Sequence, residues 1–476
     1  MSIKSHRINT RKKQRKKMSE NATHHVVMLP WSAFGHLIPF FELSIAIVKL
    51  GIHVSFISTP KNIQRLPKPP LDLSHLLHLI EMNFPSSIDS SHLCGGEATV
   101  DIPFDKIQYL KLAWDQMQNP VKEFVSKLQP NWIICDFHAH WTVEIAQELH
   151  VKLMYHSVYS ASTIVFFGPP GRIRTPTSPE VLTSPREWVN FPSSVAFQQN
   201  EAIAFYQDAY IENVTGLRDI DRLASVIDGA NALSFRSCYE MEGEYLNLYQ
   251  ELIDKPVIPI GLLPPEMPER RHVDESWSKT FEWLDAQATK SVVFVGFGSE
   301  CKLSKEQVFE IAYGLELSEF PFLWTLRKPS WAIHDHDSLP LGFCERTSKR
   351  GKVCFGWAPQ KEILAHKSIG GSLFHSGWGS IIETLMFGHT LVVLPFVVDQ
   401  PLNAKALVDK GLAIEVKRNN EDGSFSRDDI AKCLREAMVL EEGEELRIKT
   451  REIAKVVGDL KLHHDYMKAF VRFLRT

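Results

Sequence analysis

Cysteine is scarce and scattered in this chain of 476 residues. Its seven cysteines (Cys94, Cys135, Cys238, Cys301, Cys344, Cys354 and Cys433) form no C-x-x-C pair and are odd in number. That pattern argues against a disulfide framework or a structural zinc, and for reduced thiols in a cytosolic protein. No apolar run approaches the roughly 18 residues a membrane helix needs. The candidate LVVLPFVV at 391–398 has the length of a buried strand. Three common site motifs are missing as well. The nearest match to a dinucleotide fingerprint, Gly296-Phe297-Gly298-Ser299-Glu300-Cys301, lacks the third glycine, so Cys301 would hold strand and helix apart. No G-K-[ST] follows any glycine loop, which excludes a Walker P-loop. A G-x-S-x-G elbow cannot be built around Ser376, because Phe374 stands where its first glycine belongs.

What is present is ordinary for a globular protein, with 44% hydrophobic and 23% charged residues, over a length that predicts two large domains or three small ones. Charge is unevenly spread. The first 17 residues hold eight Lys or Arg and no acid, so within a total of −4 the remaining body carries −12. An acidic body is a poor nucleic-acid binder. The basic tail has no apolar h-region and so does not read as a secretory signal; it reads as a disordered extension or a nuclear-type address, with Met18 as an alternative start.

Two segments repeat one order. HHVVMLPWSAFGHLIPFFELSIAIVKLGIHVSFIST predicts a strand at Val26 to Leu29, a loop, an amphipathic helix and a strand at His53 to Ile57. SVVFVGFGSECKLSKEQVFEIAYGLELSEFPFLWTLR predicts a strand at Val292 to Val295, a glycine loop, a helix and a strand at Phe322 to Leu326. Two such units predict two doubly wound α/β domains. The expected division is a tail at 1–23, a first domain at 24–254, a linker at 255–280 dense in proline and charge, and a second domain at 281–455. A proline-rich stretch from Gly168 to Pro192 reads either as a lid over a cleft or as a surface loop.

The most informative stretch is FHSGWGSIIE at 374–383. It reads as a strand-to-helix turn with the helix starting near Ser380, a site where backbone N–H groups and the helix dipole attract an anion. His375 and Ser380 supply side-chain donors, and Gly377 and Gly379 allow close backbone approach. Glu383, one turn on, either accepts from ribose hydroxyls or caps the helix. Upstream, Trp357-Ala358-Pro359-Gln360 follows another strand, and the indole of Trp357 either stacks on a base or edges the core.

Here the residues resemble a known family. The 44 residues from Trp357 to Gln400 resemble the signature box of plant UDP-sugar-dependent glycosyltransferases, and the likeness runs from PWSAFGH to the final helix. It implies a GT-B fold: two facing Rossmann-like domains, the donor held by the second, with a C-terminal helix at 456–476 crossing back to the first. It implies that Trp357 stacks on uracil, that the Ala358 backbone pairs with its edge, and that Gln360 and Glu383 bind ribose. Ser299, His375 and Ser380 would hold the diphosphate, and Trp378, Asp399 and Gln400 the sugar. The base would be His36, oriented by Asp136 at the end of the strand Trp132 to Cys135. No D-x-D pair flanks the phosphate loop, and the resemblance likewise implies no metal and no cofactor. The expected partners are a UDP-sugar and a small-molecule acceptor, with the protein a monomer. Two departures stand out. Gly379 replaces the usual Asn, removing an amide that helps hold phosphate and sugar, and Gly388-His389-Thr390 replaces Gly-Val-Pro. UDP-glucose is the expected donor, with UDP-rhamnose as the alternative. A non-catalytic UDP-sugar binder is the rival of another class. PWSAFGHLIPF with STPKNIQRL resembles the branch that extends the sugar chain of flavonoid or terpenoid glycosides.

Overall fold

The computed structural model describes residues 24–85, 92–265 and 274–476. The expected basic tail and the middle of the expected linker lie outside them. Fully apolar runs such as Val26–Leu29 and Val292–Val295 cannot face water on either side, so they become central parallel strands covered by helices on both faces.

The first domain is built on β1 (His25–Leu29), α1 (Phe34–Val48), β2 (His53–Ser58), β3 (Leu77–Glu81), β4 (Trp132–Cys135), β5 (Lys152–Ser157), α2 (Ala161–Phe167), β6 (Ala232–Phe235) and β7 (Val257–Pro259). Its seven strands run parallel in the order β3-β2-β1-β4-β5-β6-β7. The second is built on β8 (Val292–Gly296), α3 (Lys305–Ser318), β9 (Phe322–Leu326), β10 (Gly351–Phe355), β11 (Ile369–Phe374), α4 (Trp378–Met386), β12 (Thr390–Val393), α5 (Gln400–Asp409) and β13 (Ala413–Glu415). Its order is β10-β9-β8-β11-β12-β13, again all parallel. Both sheets therefore reverse winding at one place, between β1 and β4 in the first and between β8 and β11 in the second. A doubly wound sheet opens its crevice there, beyond the carboxyl ends of the strands.

Three local expectations need correction. Strand β7 lies within the span expected to be linker, where Val257, Ile258 and Pro259 continue the first sheet. The run at 391–398 is strand only to Val393; beyond it the chain turns, Val398 is 44% exposed, and its φ is 52°. The helix expected near Ser380 starts at Trp378, with Gly377 as its N-cap.

The stretch Gly168 to Pro192 is packed. Ile173 and Leu182 are buried, the Trp188 indole donates to the Val165 carbonyl (2.7 Å), and Arg186 lies over Trp188. After the second domain, α6 (Leu460–Leu474) crosses back and sets Met467, Phe470, Val471 and Leu474 into the apolar cluster beneath β1 and β2.

Candidate active site

The first switch point brings together His36 and Asp136. His36 lies in the first turn of α1, just beyond β1, and Asp136 directly follows β4. These two strands are neighbours, so residues a hundred positions apart meet, with His36 Nδ1 2.7 Å from Asp136 Oδ2. The aspartate is fixed by the backbone N–H groups of Trp31 (3.2 Å) and Phe137 (2.7 Å). Burial alone would raise its pKa, but the His36 charge and hydrogen bond hold it below the ordinary carboxylate range. For His36, burial works to lower the pKa; Asp136 outweighs it, and Asp399 and Glu300 of the second domain add to a net rise above 6.5. Only 12% of the His36 side chain is exposed, and Tyr159 and Phe137 flank its ring.

The second switch point brings together the loops that carry Ser299 and His375. Ser299 follows β8 and His375 follows β11, again on neighbouring strands. Gly298 has φ 67°, and a Cβ there or at Gly377 would come within 2.7 or 2.8 Å of His375 Nε2, so the two glycines let the imidazole sit between the loops. Burial pushes the His375 pKa down to about 4, leaving it neutral at pH 7. The left-handed residue of the turn is Ser376 (φ 58°), whose hydroxyl donates to the carbonyls of His375 (2.6 Å) and Gln400 (2.9 Å). Gly379 lies inside α4 without positive φ. Ser380 is on the same first turn.

The remaining box residues divide into free and committed. Trp357 is 69% exposed, with Arg327 over its ring and Phe34 at its edge. Beside it, Gln360 donates to Glu383 (2.8 Å), whose pKa burial raises. Ala358 starts the turn that leads into Gln360. Trp378 is different from what was expected. Its indole is 6% exposed among Phe374, Ile381 and Leu407 and donates to the Arg236 carbonyl of the first domain (2.8 Å). The side chain therefore cements the domains, and what the position offers a ligand is its backbone N–H at the helix start. Gln400 is also partly engaged: its carbonyl oxygen accepts from Phe396 and Val397 N–H, which leaves its amide nitrogen as the donor. Burial pushes the Asp399 pKa up to about 6.

Sequence reasoning missed Asn403. Its amide donates to Asp399 (2.7 Å) and to the Ser376 carbonyl (3.1 Å), while its oxygen accepts from Ser160 (2.7 Å) and Thr163 (3.2 Å) of the first domain. The signal was available, since position 403 is four residues beyond Asp399 and so on the same face of a helix.

Residues 265–444 match the family model described as UDP-glucoronosyl and UDP-glucosyl transferase. Over 95% of this chain and 97% of its own length, UDP-glycosyltransferase 91A1 of Arabidopsis thaliana is 42% identical. The chain belongs to the plant UDP-glycosyltransferases. Within the family it is of the 91 type, and it is also 39% identical to soyasaponin III rhamnosyltransferase of Glycine max over 95% of both chains. The glycosyltransferase fold extends to more distant members. The structure of Arabidopsis thaliana UGT89C1 complexed with UDP-L-rhamnose superposes with a TM-score of 0.72 at 23% identity, covering 96% of this chain and all of that one.

Proposed function

We propose that this UDP-glycosyltransferase moves a sugar, glucose from UDP-glucose in the first instance, to a hydroxyl of a small plant metabolite, with inversion. The observation that carries this reading is His36, paired at 2.7 Å with Asp136 and within electrostatic reach of Asp399 across the cleft. His36 takes the proton of the acceptor hydroxyl as its oxygen forms a bond to the anomeric carbon, and the bond from that carbon to the diphosphate breaks in the same displacement. Asp136 stabilises the imidazolium that forms. Uracil stacks on Trp357 and pairs with the Ala358 backbone, and ribose binds Gln360 and Glu383. The diphosphate lies on Ser299, His375, Gly377, Gly379 and Ser380, while Asp399, the Gln400 amide and the Trp378 N–H hold the sugar.

The developing charge is met by preorganised donors, an effect worth roughly 3 kcal/mol for each, so no metal or cofactor is needed. The protein works as a cytoplasmic monomer. The acceptor is the sugar of a flavonoid or terpenoid glycoside. UDP-rhamnose is the second donor reading, favoured by the rhamnosyltransferase relative. Turnover of UDP-glucose against UDP-rhamnose with a panel of glycosides, followed by mass spectrometry, tests both. Binding of either donor without transfer to any acceptor would reduce the protein to a UDP-sugar binder.

A further inference from the structure

We propose that Arg236, from the acceptor-side domain, is a diphosphate-binding residue that takes over the place of the amide missing at Gly379. This rests on the donor-site reading given under Proposed function.

Arg236 follows β6 and is 3% exposed. Its carbonyl receives the Trp378 indole N–H, which fixes its backbone against the start of α4 (2.8 Å). Two corners of its guanidinium are anchored within the first domain. Nε donates to the Leu262 carbonyl (2.8 Å), and Nη2 donates to the Leu263 carbonyl (3.0 Å) and pairs with Glu42 (3.1 Å). Nη1 makes no hydrogen bond among the described residues, and it is the atom that faces the anion loop. A Cβ built on Gly379 would meet one atom within 4 Å, and that atom is Arg236 Nη1, at 3.7 Å. A side chain at 379 would grow into the space that this guanidinium edge already serves.

The chemistry suits a diphosphate. A rigid planar cation held by carbonyls loses little entropy on binding and presents N–H donors to phosphate oxygens. Glu42 is shared with Lys361 (3.0 Å), and Glu383 lies within electrostatic reach of both cations, so two carboxylates and two cations stand together beside the loop. Because Arg236 belongs to the first domain and the loop to the second, the contact also makes donor binding report on closure of the two domains.

The test is a double-mutant cycle on the full chain. Arg236→Ala is expected to weaken UDP, measured by titration calorimetry, roughly ten- to hundredfold, as loss of a charged hydrogen bond does. Affinity for uridine, which has no phosphate, stays within about twofold because that contact is absent. Adding Gly379→Asn to Arg236→Ala restores at least about a tenth of the lost UDP affinity, since the amide then reaches the vacated space. Arg236→Lys keeps a cation without the fork and loses less than Arg236→Ala, which keeps the test open if the alanine variant does not fold. UDP affinity within about twofold of the parent, equal losses for UDP and uridine, or no rescue by Gly379→Asn would each overturn the proposal. Failure of the parent protein to bind UDP would instead overturn the donor-site reading beneath it.

Discussion

Replacing His36 with alanine should separate chemistry from binding. Because the imidazole lies in the first domain and is proposed to act on the acceptor, His36→Ala should cost about 10²- to 10⁴-fold in kcat while UDP affinity by titration stays near that of the parent. A loss under tenfold would remove His36 from the role. The pH profile follows from two shifts of the same sign. His36 must be neutral to accept a proton, and its pKa lies above 6.5, so the base is lost as pH falls through that raised value. Asp399, raised to about 6 by burial, must be ionised to accept from sugar hydroxyls and is neutralised over the same direction. Hence kcat/KM should fall steadily on the acid side, with no plateau near pH 6. A rate that stays flat from pH 7.5 to pH 5.5 would exclude both roles. The His36–Asp136 contact was expected from the family resemblance alone, not from the residues themselves. Nothing local links positions a hundred residues apart, and they meet only because β1 and β4 are hydrogen-bonded neighbours.

At the scale of elements, two tryptophans of the same box have opposite fates. Trp357 follows the edge strand β10 and stands exposed, whereas Trp378 begins α4 and is sealed between domains. Trp357→Ala should therefore raise the KM for the UDP-sugar by about 1 to 3 kcal/mol of lost stacking with a nearly unchanged melting temperature. Trp378→Ala should do the reverse, costing about 3 to 5 kcal/mol of stability. Calorimetry of both variants beside their kinetics checks the pair. Composition and spacing could not sort them, because both residues read as turn positions in the sequence and their burial is decided by which sheet edge or domain face is nearby. Strands were easier to read. Phe322–Leu326 and Trp132–Cys135 have the expected limits, since a run buried on both faces permits no other pattern. The helix start at Trp378 was harder, because a glycine at 379 disguises a first helical turn as loop.

For the whole molecule, the proposed anion site combines neutral donors and a helix start of the second domain with the Arg236 cation of the first, the domain that also carries the proposed base. Transfer should therefore run at an undiminished rate in EDTA, and a rate restored only by Mg²⁺ or Mn²⁺ would contradict that design. The domains also touch at three further points, the first beside His36 and the others farther along the cleft. Thr99 donates to Glu300 (3.0 Å), Lys302 to the Ile102 carbonyl (2.9 Å), and Ser194 to Asp409 (2.6 Å).

The returning helix α6 places its own demand on synthesis. Its Met467, Phe470, Val471 and Leu474 complete the cluster under β1 and β2, and the Trp132 indole donates to the Leu474 carbonyl (2.9 Å). On the ribosome, the domain that emerges first thus waits for the whole of the second before its last apolar groove is filled. Until then it is an unfinished surface, exposed to proteases and to association with other nascent chains. A chain cut before Leu460 should show that waiting state permanently. Limited proteolysis should cleave its first domain well before its second, whereas in the full chain the two should resist alike.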